Sequence, residues 1–198
     1  MLTKLRGHAI YHKVLVALFT GLRRGELLAL RWINVDLDRK IIAVREALQE
    51  TSDGVAVKDT TKTKAGRRDV TLPGVVVSAL RDVRRQQLEE RIALGLGKMP
   101  DDAFVFPARH GRPSRPTNLS SGWAAVAKTI GLPGITWHAL RHTHASMLID
   151  AGIDVVKVSK RLGHADPSVT LRVYSHLFQR RDDKSADAID AAVAAFKI

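Results

Sequence analysis

The sequence contains no cysteine. That absence excludes disulfides, thiolate metal sites and a cysteine nucleophile, and it fits a reducing compartment. No apolar run approaches the roughly 18 residues of a membrane-spanning helix, and the N-terminus lacks the apolar stretch and small-residue cleavage site of a secretory signal. A soluble, intracellular chain with no membrane partner is the expectation. Neither a repeat of about 20 to 50 residues nor a low-complexity tract divides it, so the 198 residues, 45% of them hydrophobic, read as one domain. Acidic residues are also scarce: 20 Asp and Glu stand against 32 Lys and Arg, a net charge of +12. That sign favours a polyanionic partner, nucleic acid before any other, over a surface charged only for solubility.

What is present divides into helices around a short β region. "YHKVLVALFT" is apolar enough for a buried helix, and "GLRRGELLALRW" predicts a second, with Gly21 in the turn between them. "IIAVREAL", "GVAVKDT" and "RRDVTLP" alternate in short β-branched runs. With turn signals at Asp53-Gly54 and Ala65-Gly66, they predict one small antiparallel sheet over roughly residues 40 to 73. After Pro73 the spacing of Val76, Leu80 and Val83 is helical, and Arg81, Arg84, Arg85, Glu89, Glu90 and Arg91 form its solvated face. A long loop follows, "GLGKMPDDAFVFPARHGRPSRP", then a helix marked by Leu119, Trp123, Val126 and Ile130. The last third is helical, with Gly152 and Gly163 as C-caps and Ile189, Val193 and Phe196 as an apolar stripe on the tail. The fold class is therefore α+β and mainly α-helical: a helical bundle carrying a small antiparallel sheet.

One stretch, "WHALRHTHASML" at residues 137 to 148, concentrates titratable groups on a helix. His138 and Arg141 are three apart and share a face, while Leu140, Met147 and Leu148 turn towards a core. An imidazole beside a guanidinium suits an anion. His138 and His142 also have the i, i+4 spacing of a zinc motif, but Ala139 stands where such a motif needs glutamate, and Arg141 would set a fixed positive charge beside the metal. Two further segments favour the anion. "TGLRRGE" puts Arg23 and Arg24 at a helix start after a glycine turn, and "RLGHADPSVTLRVYSH" puts His164 just after Gly163, with Tyr174 beyond a turn containing Pro167.

Taken together and in this order, the three segments resemble the tyrosine recombinases, the phage-type integrases. "TGLRRGELLALRW" resembles the first arginine box of that family, "HALRHTHASMLIDAG" its H-x-x-R box and "RLGHADPSVTLRVYSH" its terminal histidine and tyrosine box. The resemblance runs from around Tyr11 to around Phe178 and implies the family's catalytic domain. It implies a chain, 1–198, that is a single catalytic domain without the family's N-terminal core-binding and arm-binding domains.

The implied activity is site-specific DNA recombination, integration or excision. A strand is cut and rejoined through a covalent 3′-phosphotyrosyl intermediate, with the chemistry of type IB topoisomerases. Tyr174 would attack, Arg23 and Arg141 would clamp the scissile phosphate, and His138 and His164 would hydrogen-bond it and handle protons. For the family's hairpin lysine, "TKTKAGRRDVTL" offers Lys62 and Lys64. Lys62 is preferred by its distance from "VTL", given a turn one residue longer than in many relatives. Glu26 occupies the acidic position of the first box and would orient an arginine, Arg24 would contact DNA backbone or solvent, and His142 would serve in packing or as support behind the catalysts. The gap of ten residues from His164 to Tyr174, where many relatives have nine, could shift the tyrosine helix slightly. No cofactor and no metal are implied. The partner is double-stranded DNA, with a homo-tetramer on recombining sites and a monomer in isolation. The setting is cytoplasmic and nucleoid-associated, and the alternative reading is a catalytically inactive DNA-binding remnant.

Overall fold

In the computed structural model the described residues are 1–52, 54–59, 66–178, 189–191 and 193–194. The first helix, α1 (Tyr11–Thr20), buries Val14, Leu15, Val16, Ala17 and Leu18, so it is enclosed on most of its circumference and forms the centre of the main core. It ends at Gly21, which is left-handed at φ 69° and returns its N–H to the carbonyl of Ala17. A side chain at Gly21 would run into the ring of His144. After this turn α2 (Arg24–Ala29) is shorter than the sequence pattern suggests, because Leu30 is already extended and Trp32 lies in a 3-10 turn.

Among the described residues five strands follow: β1 (Val35–Asp36), β2 (Ile41–Val44), β3 (Glu46–Thr51), β4 (Gly54–Asp59) and β5 (Arg68–Thr71). They form two antiparallel sheets where the sequence pattern predicts one. β1, β2 and β5 make a three-stranded sheet in that order, with Ile42 opposite Val70, and β3 pairs with β4 as a separate hairpin. The break falls at Arg45, whose guanidinium donates to the carbonyls of Val44 and Arg68 and pairs with Asp69 at 2.8 Å. The hairpin instead lies on α2. Gly25 permits this, because a Cβ there would collide with the backbone carbonyl of Leu48.

Pro73 leads into α3 (Gly74–Ala93), which buries Val76, Leu80 and Val83 as its spacing predicts. Within the long loop, Phe104, Val105 and Phe106 are buried, and the Val105 N–H reaches the Leu30 carbonyl at 2.8 Å. Four longer helices follow among the described residues, α4 (Pro116–Thr129), α5 (Trp137–Asp150), α6 (Val155–Leu162) and α7 (Pro167–Phe178), and residues 189–191 and 193–194 are helical as well. Trp123 of α4 and Trp137 of α5 meet edge to face, centroids 6.1 Å apart. Pro167, expected inside a turn, is the first residue of α7, a position where its missing N–H costs nothing.

A second, smaller core sits beside the first. Ala145 and Ile149 of α5, Val158 and Leu162 of α6 and Tyr174 of α7 form it, so the tyrosine helix is packed by residues of both preceding helices. Met147, expected to face a core, is exposed, and so are Ile189 and Val193; Phe196 lies outside the described residues. Among the described residues no helix is long and apolar enough to cross a membrane.

Candidate active site

The C-terminus of α6 organises the site. A helix leaves its last carbonyls without intrahelical donors. Here three successive ones are filled by arginines from three different elements. Arg68 Nε of β5 donates to the Arg161 carbonyl at 2.7 Å, Arg141 Nη2 of α5 to that of Leu162 at 2.6 Å, and Arg23 Nη2, just before α2, to that of Gly163 at 2.9 Å. The negative end of the helix dipole thus faces three guanidinium groups. Gly163, left-handed at φ 71°, ends the helix and turns the chain to present His164.

Arg141 is buried, 5% exposed, and also donates Nη1 to the Gly21 carbonyl at 2.7 Å. Burial, then the charge of Arg23, lowers its pKa to about 9, which leaves it cationic at neutral pH. Its hydrogen bonds use one Nη1 and both Nη2 hydrogens, so Nε and the second Nη1 hydrogen stay uncommitted among the described residues. Arg23 keeps donors to spare in the same way. Its backbone N–H and Nη1 go to Glu26 at 2.8 and 2.9 Å.

Glu26 is buried and holds Arg68 as well as Arg23. The Arg68 fork donates Nη1 to Oε1 at 3.0 Å and Nη2 to Oε2 at 2.7 Å. Burial alone would raise the carboxyl pKa, but the Arg68 hydrogen bonds and the Arg68 and Arg23 charges outweigh it and hold Glu26 near 2. Arg68 is a site residue that the sequence pattern did not single out. Its signal was weak: an arginine at an inward register position of a short strand, with its acid 42 residues away.

His164 accepts from Arg141 Nη2 at Nε2, 3.0 Å, and therefore carries its proton on Nδ1, which donates to the buried Thr170 hydroxyl at 2.8 Å. Burial, then the charges of Arg141 and Arg23, lower its pKa to about 4. Burial, then His142, Arg141 and Arg23, also lowers the pKa of His138. The His138 ring packs edge-on against His142, centroids 4.6 Å apart, and His142 Nδ1 lies 2.6 Å from Tyr174 Oη. Tyr174 is 5% exposed, and burial, partly offset by Arg141, raises the pKa of its phenol.

The expected residues therefore fall into two linked groups. Arg23, Glu26, Arg141 and His164 gather at the end of α6, and His138, His142 and Tyr174 form a chain beside them, joined through the α5 backbone that carries Arg141. Lys62 and Lys64 lie outside the described residues. Arg23, Arg24, His138 and Arg141 line one groove of about 870 Å³, whose lining carries no carboxylate, and Arg24 is fixed there by its bond to the Ser120 hydroxyl. A groove of similar size between the three-stranded sheet and α3 holds none of these residues. It sets Arg39, Arg45, Arg81, Arg84 and Arg85 among Asp36, Asp38, Asp69 and Glu89, so four carboxylates face whatever enters it, a poor lining for a polyanion. Among the described residues no group of three His, Asp or Glu could hold a metal ion.

Residues 3–181 match the model of the phage integrase family. A tyrosine recombinase XerC-like protein of Caldanaerobacter subterraneus subsp. tengcongensis is 28% identical over 196 residues, covering 94% of this chain and 50% of the relative. The integrase of Staphylococcus phage L54a is 30% identical over 90% of this chain and 51% of its own length. The chain spans about half the length of the curated relatives it matches. Among solved structures, the integrase of transposon Tn1549 in complex with transposon right end DNA superimposes with a TM-score of 0.75 at 25% identity, over 98% of this chain and 62% of that one. A family match over residues 3–181, nearly the whole sequence, settles membership: the chain belongs to the phage integrase family.

Proposed function

We propose that this chain is a catalytic domain that cuts and rejoins double-stranded DNA in site-specific recombination. The observation that carries the reading is the acid-free groove lined by Arg23, Arg24, His138 and Arg141, linked from His138 through His142 to the buried Tyr174. A scissile phosphate seated there would meet the spare donors of Arg23 and Arg141, whose planar forks suit its non-bridging oxygens where negative charge accumulates. Tyr174 would attack phosphorus and release the 5′ oxygen, leaving a 3′-phosphotyrosyl bond that conserves the energy for rejoining. His138 would contact the phosphate from the groove wall. His164, fixed as its Nδ1–H tautomer, would orient Arg141, and Glu26 with Arg68 would hold Arg23 in register. Lys62, or else Lys64, is the proposed acid for the leaving oxygen. The Tn1549 integrase was solved in complex with DNA, and this domain too would work on DNA; we propose that it does so as a homo-tetramer on paired sites and a monomer alone, at nucleoid DNA.

The test is covalent capture. A library of nicked duplexes with a randomised core, incubated with the chain in excess chelator, is expected to give a protein–DNA species that survives denaturation. Chelation should not matter, because the arginines supply the charge that a metal would otherwise bring. No covalent species from any duplex would leave only a DNA-binding remnant, and a species formed only when metal is restored would overturn the arginine-based mechanism.

A further inference from the structure

A phenol that attacks phosphorus must give up its proton, and burial makes the proton of Tyr174 harder to lose to water. Three other candidate bases, the half-buried His164 and the buried His144 and Glu26, are already engaged. His164 Nε2 accepts from Arg141 and its Nδ1 donates to Thr170, while His144 Nδ1 donates to the Leu18 carbonyl and its Nε2 accepts from Arg161 Nε at 3.0 Å. Glu26 has both oxygens occupied by Arg23 and Arg68. His142 is placed differently. Its Nδ1 meets Tyr174 Oη at 2.6 Å, and it follows Arg141 directly on α5.

We infer that His142 is the catalytic residue that accepts the Tyr174 proton as the tyrosine attacks, a role that rests on the cleavage reading above. In the step, the Oη–H bond breaks and the proton passes to His142 Nδ1, while an Oη electron pair forms the bond to phosphorus. The bond from phosphorus to the 5′ oxygen breaks, and that oxygen leaves with the electron pair and takes up a proton from its surroundings. On rejoining, the imidazolium returns its proton to Oη. Arg141, the preceding residue on α5, stabilises the phenoxide that forms part-way through the transfer. The role requires Nδ1 to be the bare nitrogen of His142 and Nε2 to carry the hydrogen. The opposite tautomer, with Nδ1–H donating to the phenol oxygen, would only position the ring.

The deciding variant is His142→Asn, which keeps a polar group near the place of Nδ1 but has no basic lone pair; His142→Phe removes both. In single-turnover capture on a nicked duplex, His142→Asn is expected to slow adduct formation by about 100-fold or more while binding the duplex as the wild type does. Replacing Tyr174 by a fluorinated tyrosine, whose phenol is more acidic, should recover most of that loss in His142→Asn and change the wild type little. Nitrogen NMR of the free chain should show His142 Nδ1 unprotonated, with a resonance that moves in Tyr174→Phe. An His142→Asn variant cleaving at the wild-type rate, an equal fluorotyrosine effect in both backgrounds, or a proton resident on Nδ1 would each overturn the role. A wild-type chain that forms no adduct would overturn the cleavage reading and this role with it, whereas a wild-type adduct with an unaffected His142→Asn would overturn this role alone.

Discussion

Glu26 shows how one buried charge ties the site to stability. Its carboxyl stands at about 2 against an ordinary 4.5, burial opposing and the Arg68 and Arg23 contacts prevailing. A carboxylate depressed in the fold contributes stability that is present above its unfolded pKa and lost as pH falls through the folded value. Its share, of order 3 kcal/mol at neutral pH, therefore fades between about 4.5 and 2. Glu26→Gln is predicted to cost about 3 kcal/mol in urea unfolding near pH 7 and less near pH 3, because below about 4.5 the unfolded wild type takes up a proton that the folded carboxylate, held by Arg68 and Arg23, does not. An equal loss at both would mean that the pair is not formed. His144 and His164 act at higher pH. Both are lowered from 6.5 to about 4, by burial first and then by Arg161 for His144 and by Arg141 for His164. Each is neutral in the fold, and the unfolded chain takes up its proton first as pH drops below 6.5. Stability is thus fully present above that value and is lost towards about 4. Urea midpoints should begin to fall before any carboxylate titrates, and His144→Phe should flatten that slope; an unchanged slope would mean that His144 titrates alike in both states.

Among the elements, α6 and the hairpin of β3 and β4 set the geometry. Three arginines converge on the last carbonyls of α6, so a shift of that helix would move Arg23, Arg141 and His164 together. Gly25 lets the hairpin lie directly on α2, and Gly25→Ala is predicted to destabilise by about 1–3 kcal/mol through overpacking against the Leu48 carbonyl, measured by chemical denaturation. A neutral Gly25→Ala would mean that the hairpin can withdraw at little cost. Much of this level was legible in the sequence, because it rests on local spacing. The bounds of α1, the left-handed turns at Gly21 and Gly163, and the shared segment of His138 and Arg141 all follow from positions a few residues apart. What was not legible depends on distant partners. Arg68 looks like one more solvated strand charge until Glu26, 42 residues earlier, is folded beneath it, and His142 has no visible purpose until Tyr174, 32 residues later, reaches its ring. The split of the sheet at Arg45 and the burial of Phe104, Val105 and Phe106 likewise follow from which surface each segment meets, which periodicity leaves open.

For the whole molecule the net charge of +12 and the acid-free groove act together. Binding by this chain alone should rest mainly on phosphate contacts, so with about six phosphates neutralised the slope of log K against log salt should be near −5. Titration of labelled duplexes of fixed and random sequence across a salt series checks this; tight, sequence-selective and salt-insensitive binding would contradict it. The central claim is narrower still: Tyr174 is the atom donor of a covalent bond to DNA. The most direct measurement is proteolysis of the denatured adduct followed by mass mapping of the nucleotide-bearing peptide, run alongside Tyr174→Phe. The account predicts a nucleotide on the α7 peptide at Tyr174, and a Phe variant that binds duplex normally but yields no adduct. A nucleotide on any other residue, or an adduct that persists in Tyr174→Phe, would contradict it.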